Sequence, residues 1–285
     1  MAIIVNDQSK VIIQGITGSV GKSFADRMVQ YGTPLVAGVT PGKGGQKVGN
    51  VPVFNSVQES VSRTGADTSF ISVRPTMVKQ AVLEAIDAGI KTIVIYSEGV
   101  PVHDSMQMVQ YAKLHGVKLL GPNSAGMVSP GKANVSDLHD SILIPGRIGV
   151  VSRSGTLTYE VVDMLKILGL GTSSIVCLGG DPVIGIQHDE ILQLFEQDEE
   201  TDAVVYIGEI GGTDEVKSAE VIKAMKKPVY AYIAGQFAPP GKRMGHAGAI
   251  IQSSLETAAE KQRILQEAGA VVVDVLSDLL EVIRR

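Results

Sequence analysis

The sequence predicts an α/β protein built from two tandem doubly wound domains. Short β-branched runs alternate with amphipathic stretches, the pattern of strands joined by helical crossovers in a parallel sheet. The alternation stops between Gly121 and Gly146, then restarts. The chain has 285 residues, enough for two ordinary cores.

In the first half, strands are predicted at Val11-Gln14, Leu35-Val39, Thr68-Val73, Thr92-Tyr96 and Val117-Leu120. Helices are predicted at Val20-Tyr31, Val57-Arg63, Thr76-Ala88 and Asp104-His115, with Met106 and Met108 both packing inward. The stretch to Gly146 carries Pro122, Gly126, Pro130, Gly131 and Pro145, so residues 123–146 read as a connection between domain 1–122 and domain 147–285. Beyond it, strands are predicted at Ile148-Ser152, Ser173-Leu178, Ala203-Gly208, Val229-Ile233 and Ala270-Val273. Helices follow at Thr156-Leu168, Gln187-Gln197, Glu215-Lys226, Ser254-Ala268 and Leu276-Ile283.

Composition removes several function classes. A net charge of -5 gives no broad basic surface for nucleic acid. No apolar run reaches the length of a membrane span, and the N-terminus lacks a signal-peptide pattern. A cytoplasmic protein is the expectation; a mitochondrial matrix protein freed of its transit peptide would have the same composition. The lone Cys177 sits in an apolar run and excludes a disulfide framework. His103, His115, His139 and His188 show no metal-ligand spacing and read as surface or structural residues, so no metal site is expected.

Ligands of doubly wound sheets bind beyond the carboxyl ends of the strands. The first such loop is Gly15-Ile-Thr17-Gly18-Ser19-Val20-Gly21. Its glycines allow close backbone approach, and the helix that follows offers free N–H groups to a phosphate. The spacing G-x-x-G-x-x-G departs from G-x-G-x-x-G, which argues against a nicotinamide-dependent dehydrogenase. The next loop, Thr40-Pro-Gly-Lys43-Gly-Gly45, exposes a lysine on bare backbone, suited to a second phosphate.

In the second half, His246 stands between Gly245 and Ala247-Gly248. Imidazole is a good nucleophile near neutrality, and small neighbours leave it open. Ser154-Gly155-Thr156 runs from a strand into a helix; Ser154 can cap, and the next residues present bare N–H groups to an anion. Glu209, between Gly208 and Gly211-Gly212, can bond one imidazole nitrogen and free the other. Gly179-Gly180-Asp181-Pro182 is expected to line the same crevice.

These segments, in this order, resemble the α subunit of the succinyl-CoA synthetase family over nearly the whole chain. The resemblance implies an N-terminal Rossmann-like CoA-binding domain and a C-terminal flavodoxin-like ligase domain. It implies that Thr17, Gly18, Ser19 and Lys43 meet the CoA phosphates and that Val20 belongs to the same CoA-binding loop, with Val73 and the loop after it near the adenine and Ser97 and Glu98 near the pantetheine arm. It implies that His246 is phosphorylated, that Glu209 orients it, and that the helix start at Ser154, Gly155 and Thr156 holds the phosphohistidine. No G-x-x-x-x-G-K-[ST] occurs. ATP or GTP with Mg2+ would then sit on a β subunit of ATP-grasp fold, in a heterodimer or a dimer of heterodimers.

The sequence departs from that family at three places. Ser124-Ala125 replaces Cys-Pro, Ala133-Asn-Val-Ser-Asp137 replaces Cys-Lys-Ile-Gly-Ile, and Val73-Arg74-Pro75-Thr76 replaces Val-Pro-Ala-Pro. The first two open the choice of acid, since related ligases act on malate or citrate. Arg74 either bonds a CoA phosphate or stacks on the adenine. A CoA-binding module without catalysis would keep the first-half loops and lose His246, Glu209 or the Ser154 helix start; all three are present. An ADP-forming acyl-CoA synthetase shares both domains but usually carries further ones.

Overall fold

The computed structural model describes residues 3–284 of the chain. The first half folds as β1 (Val11–Gln14), α1 (Ser19–Tyr31), β2 (Leu35–Val39), β3 (Lys47–Val48), β4 (Val51–Phe54), α2 (Val57–Thr64), β5 (Thr68–Ile71), α3 (Val78–Asp87), β6 (Thr92–Ile95), α4 (Val102–Leu114) and β7 (Lys118–Leu120). These strands form a seven-stranded sheet in the order β3-β4-β2-β1-β5-β6-β7. The second half continues with β8 (Gly126–Ser129), β9 (Ala133–Ser136), β10 (Pro145–Ser152), α5 (Gly155–Ile167), β11 (Thr172–Cys177), α6 (His188–Gln197), β12 (Ala203–Glu209), α7 (Asp214–Ala224), β13 (Val229–Ala234), α8 (Ala258–Glu267), β14 (Val271–Val273) and α9 (Leu279–Ile283). Its sheet also has seven strands, ordered β14-β13-β12-β10-β11-β8-β9.

The central strands are covered on both faces; β1 and β6 read as mostly apolar runs, while β5 and β11 also bury Thr and Ser side chains. All four residues of β1, β5 and β6 are buried, as are all six of β11. Helix ends follow local chemistry. Ser56 caps α2 by accepting from the Glu59 N–H at 3.1 Å. Thr257 caps α8 by accepting from the Glu260 N–H at 3.3 Å. That cap divides the helix predicted at Ser254-Ala268 into a 3-10 turn, Ser254–Glu256, and α8. The helix predicted from Thr76 likewise opens as a 3-10 turn, Pro75–Met77, before α3.

The sheets are not wholly parallel. β3 pairs antiparallel with β4, and β8 pairs antiparallel with both β9 and β11. β8 and β9 lie in the segment expected to be a connection. Its glycines and prolines punctuate a hairpin, and the four-residue stretches between them are fully buried strands. Met106 also differs from expectation: it is exposed while Met108 is buried, because residues two apart on a helix face different ways.

The hairpin segment locks the two halves together. The Arg27 guanidinium on α1 donates to the Asp137 and Leu138 carbonyls at 2.7 and 2.6 Å. The Thr33 hydroxyl donates to the Asn134 carbonyl and accepts from the Asn134 N–H, at 3.1 and 2.9 Å. The Ile186 N–H reaches back to the Leu119 carbonyl at 2.7 Å. Among the described residues, no helix is long and apolar enough to cross a membrane.

Candidate active site

The loops singled out in the first half follow β1, β2, β5 and β6, at the carboxyl ends of the sheet's interior strands. The Thr17 hydroxyl donates to Thr40 Oγ1 at 3.2 Å, which ties the first glycine loop to the second. Gly18, Ser19 and Val20 are exposed at the start of α1, and Lys43 is exposed on its turn. The Ser97 hydroxyl donates to the Val73 carbonyl at 2.5 Å, so the loops after β5 and β6 are joined as well. Arg74 is exposed and approaches Met77 Sδ at 3.7 Å. Glu98 is exposed beside Ser97.

In the second half, Ser154 caps α5 by accepting from the Leu157 N–H at 3.2 Å. Gly155 and Thr156 therefore form the first turn, where N–H groups lack helical partners and the helix dipole is positive. Glu209 ends β12 with a buried side chain. Its Oε2 lies 2.7 Å from His246 Nδ1. A carboxylate only accepts, so Nδ1 carries the proton and neutral His246 keeps its lone pair on Nε2. The hydrogen bond to Glu209 is the chief cause that raises the imidazole pKa above its ordinary value, against a smaller opposing effect of burial.

Gly180 and Gly211 let the histidine loop close. A Cβ on Gly180 would stand 2.4 Å from His246 Cγ, so any side chain there displaces the ring. A Cβ on Gly211, whose φ is +85°, would meet the Gly248 carbonyl at 2.1 Å. Gly180 thus packs against the histidine ring, while the segment Gly179-Gly180-Asp181-Pro182 does not line the cavity that His246 shares with the first half.

The two halves meet at a cavity of about 420 Å³. Ser97 and Glu98 line it from the first half, Ala125 and Asp137 from the hairpin segment, and Gly155, Thr156 and His246 from the second. The structure therefore brings the Ser97–Glu98 loop, the α5 N-terminus and the histidine onto one space. The loops of Thr17 and Lys43 do not line it. Ser124, though at its wall, has its hydroxyl engaged: it donates to the Cys177 carbonyl at 2.5 Å and accepts from the Gly126 N–H at 2.9 Å. Burial pushes the Asp137 carboxyl above its ordinary range, with Arg27 opposing. Cys177 is buried, and burial pushes its thiol up to about 12, which leaves it inert.

Sequence reasoning assigned no role to Arg153, Asp214, Glu215 or Lys261. Arg153 is buried behind Glu209, with Nε 3.3 Å from Glu209 Oε1, and its Nη2 donates to the Asp181 carbonyl at 3.0 Å. Its Nη1 lies 3.9 Å from Asp214 Oδ2. Lys261 and Glu215 are fully buried and paired at 2.5 Å. A signal for these two existed. Ala258, Lys261 and Leu265 share the inward face of α8, and Glu215 shares that of α7 with Ser218, Ala219 and Ile222.

Comparison with known proteins agrees with this layout. A CoA binding domain family matches residues 6–99, and a CoA-ligase family matches residues 151–271. The α 1 subunit of an ADP-forming succinate–CoA ligase from Archaeoglobus fulgidus is 51% identical over all of this chain and 98% of its own length. A malate–CoA ligase α subunit from Methylorubrum extorquens is 45% identical over 95% of this chain and 94% of its own. The fold matches ATP citrate lyase from Methanothrix soehngenii, solved with citrate and coenzyme A, with a TM-score of 0.89 at 23% identity. That match covers 99% of this chain and 50% of the longer one. Two domain families in tandem and a relative half identical from end to end place the chain in the succinate–CoA ligase α-subunit family.

Proposed function

We propose that the chain is the α subunit of a nucleotide-dependent acid–CoA ligase acting on succinate, and that His246 carries the phosphoryl group between nucleotide and acid. The observation that carries this reading is the bond between His246 Nδ1 and the buried Glu209 carboxylate, at a cavity shared with the α5 N-terminus and the Ser97–Glu98 loop. The Nε2 lone pair attacks the terminal phosphorus of ATP or GTP, and the bond to the leaving diphosphate breaks. A carboxylate oxygen of the acid then takes the phosphoryl group from Nε2, giving an acyl phosphate. The CoA thiol, losing its proton, attacks the acyl carbon and expels phosphate. Each transfer is easier than direct condensation. The N–H groups at Gly155 and Thr156 stabilise the phosphoryl oxygens, where positioning and charge do most of the work.

CoA fits the first domain. Thr17, Gly18, Ser19, Val20 and Lys43 would meet its phosphates, Val73 and Arg74 its adenine end, and Ser97 and Glu98 its arm as it enters the cavity. The nucleotide and Mg2+ belong, in this reading, to a β subunit of ATP-grasp fold, in the cytoplasm. Malate or citrate is the second reading for the acid. It is favoured by one observation: Ala125 and Asp137, both within the departures from the family pattern, line the cavity at the histidine.

The test is labelling of the chain, with its co-expressed partner, by γ-32P-ATP and Mg2+. An acid-labile, base-stable label that is absent in His246→Ala and discharged by succinate plus CoA supports the main reading. Discharge by malate or citrate alone moves the chain to a sister ligase. No label on the wild-type pair overturns the relay and leaves a CoA-binding module.

A further inference from the structure

The Glu209 carboxylate has to keep its aim while the histidine beside it gains and loses a phosphoryl group. What holds it lies behind β12. The Glu209 N–H donates to Glu215 Oε1 at 3.1 Å, and the Glu209 carbonyl accepts from Lys261 Nζ at 2.7 Å. The same ammonium donates to the Gly211 carbonyl at 2.7 Å and to Glu215 Oε2 at 2.5 Å. All three Lys261 donors are thus engaged, and a closed ring runs from one side of the Glu209 backbone through both side chains to the other.

Both side chains have no exposed surface. Burial alone would raise the Glu215 carboxyl; His188, the Lys261 ammonium in contact with it and Arg153 together hold it below its ordinary value. A buried ion pair is often no more stabilising than an apolar pair of equal volume. Stability therefore does not explain this pair, whereas its contacts with Glu209 and Gly211 do: Gly211 in turn packs on the Gly248 carbonyl of the histidine loop. Gly208 leaves the room, since a Cβ there would stand 2.8 Å from Glu215 Cγ.

We propose that Lys261 and Glu215 are positioning residues, whose ring with the Glu209 backbone sets the Glu209 carboxylate against His246. The role rests on the phosphohistidine reading for its purpose but not for its test. The charged groups that bear on His246 are Glu209, Arg153, Glu98 and Asp181. Neither Lys261 nor Glu215 touches it; their contacts reach it through the backbone of Glu209 and of Gly211.

The experiment compares wild type with the double variant Lys261→Met/Glu215→Gln, which removes the buried charges together and keeps an acceptor for the Glu209 N–H. Each is prepared with the partner subunit and [13Cε1]histidine, and the His246 resonance, assigned with His246→Gln, is titrated without nucleotide, CoA or acid. Circular dichroism and a melting curve establish folding. The expected result is a His246 midpoint that falls toward that of an ordinary histidine, with phosphorylation slowed by about tenfold or more and an unchanged KM for the nucleotide. A folded double variant with wild-type midpoint and rate overturns the proposal. Lys261→Gln/Glu215→Gln, which also removes both charges but keeps a neutral donor at the Lys261 position, is the second variant if the first does not fold; it should move the midpoint in the same direction by less, and an unmoved midpoint there counts equally against the ring. A midpoint that falls in the variants while no form takes label would instead overturn the relay and leave the positioning pair standing.

Discussion

Replacing Glu209 by glutamine tests the centre of the mechanism with the smallest change of shape. The wild-type carboxylate accepts from His246 Nδ1 at 2.7 Å, which keeps Nε2 free to attack. It also raises the imidazole pKa, so the nucleophilic neutral form appears only as pH rises through that raised value. Glutamine removes the charge and leaves the buried Arg153 guanidinium, 3.3 Å from the former carboxylate oxygen, to disfavour imidazolium. The acid limb of the phosphorylation rate must therefore move to lower pH. At the plateau the variant is slower, because a hydrogen bond to a charged group contributes about 1.5–3 kcal/mol. If that bond is stronger in the transition state, its loss slows transfer roughly 10- to 150-fold. The glutamine amide can also donate to Nδ1 and so fix the wrong tautomer, in the same direction. The assay is single-turnover labelling of the complex from γ-32P-ATP between pH 5.5 and 9, as the assay range. An acid limb that stays in place or moves upward, or a plateau rate equal to wild type, would refute the role given to Glu209.

Three further outcomes follow from contacts already described. Gly180→Ala places a methyl 2.4 Å from His246 Cγ; CoA affinity by calorimetry should be unchanged while phosphorylation falls roughly 100-fold, as for a catalytic group pushed out of line. Ser154→Ala removes the acceptor for the Leu157 N–H; thermal unfolding should show a loss of about 1 kcal/mol, accompanied by slower labelling because the α5 start loses its fixed geometry. Lys43→Ala, at an exposed lysine, should weaken CoA binding about fivefold at low salt and by less at high salt, with His246 labelling untouched.

How much of this was legible depended on whether a residue's environment follows from its neighbours in sequence. The central strands were, because burial on both faces favours mostly apolar runs such as Val11–Gln14 and Thr92–Ile95. The glycine loops were too, because a backbone that must approach a ligand or another loop writes its need as glycine. The hairpin at 126–136 was not: its strands have four residues each and sit among the turn residues that mark a break. Lys261 and Glu215 were passed over for a different reason. Charged residues on helices are usually solvated, and only the spacing to Ala258 and Leu265, or to Ala219 and Ile222, showed that they face inward. Arg153 lay inside a segment already singled out, but its partners Glu209, Asp181 and Asp214 come from other strand ends, and no local pattern names them.

The hairpin has a consequence for how the enzyme can move. It belongs to the second sheet through β11, yet it grips the first half through Arg27 on helix α1 and Thr33 in the turn after it. A piece shared by both bodies leaves them no axis about which to swing. The first half and the histidine are thus tied together through the hairpin, and a jaw opening between them would have to break those bonds. His246 itself lies in the chain between Ala234 and Ser254, which contains no helix or strand and is the segment freest of those ties. The same reasoning bears on anyone who would split the protein: a cut within the hairpin would not yield two modules, but a sheet stripped of its edge and a helix stripped of its mooring.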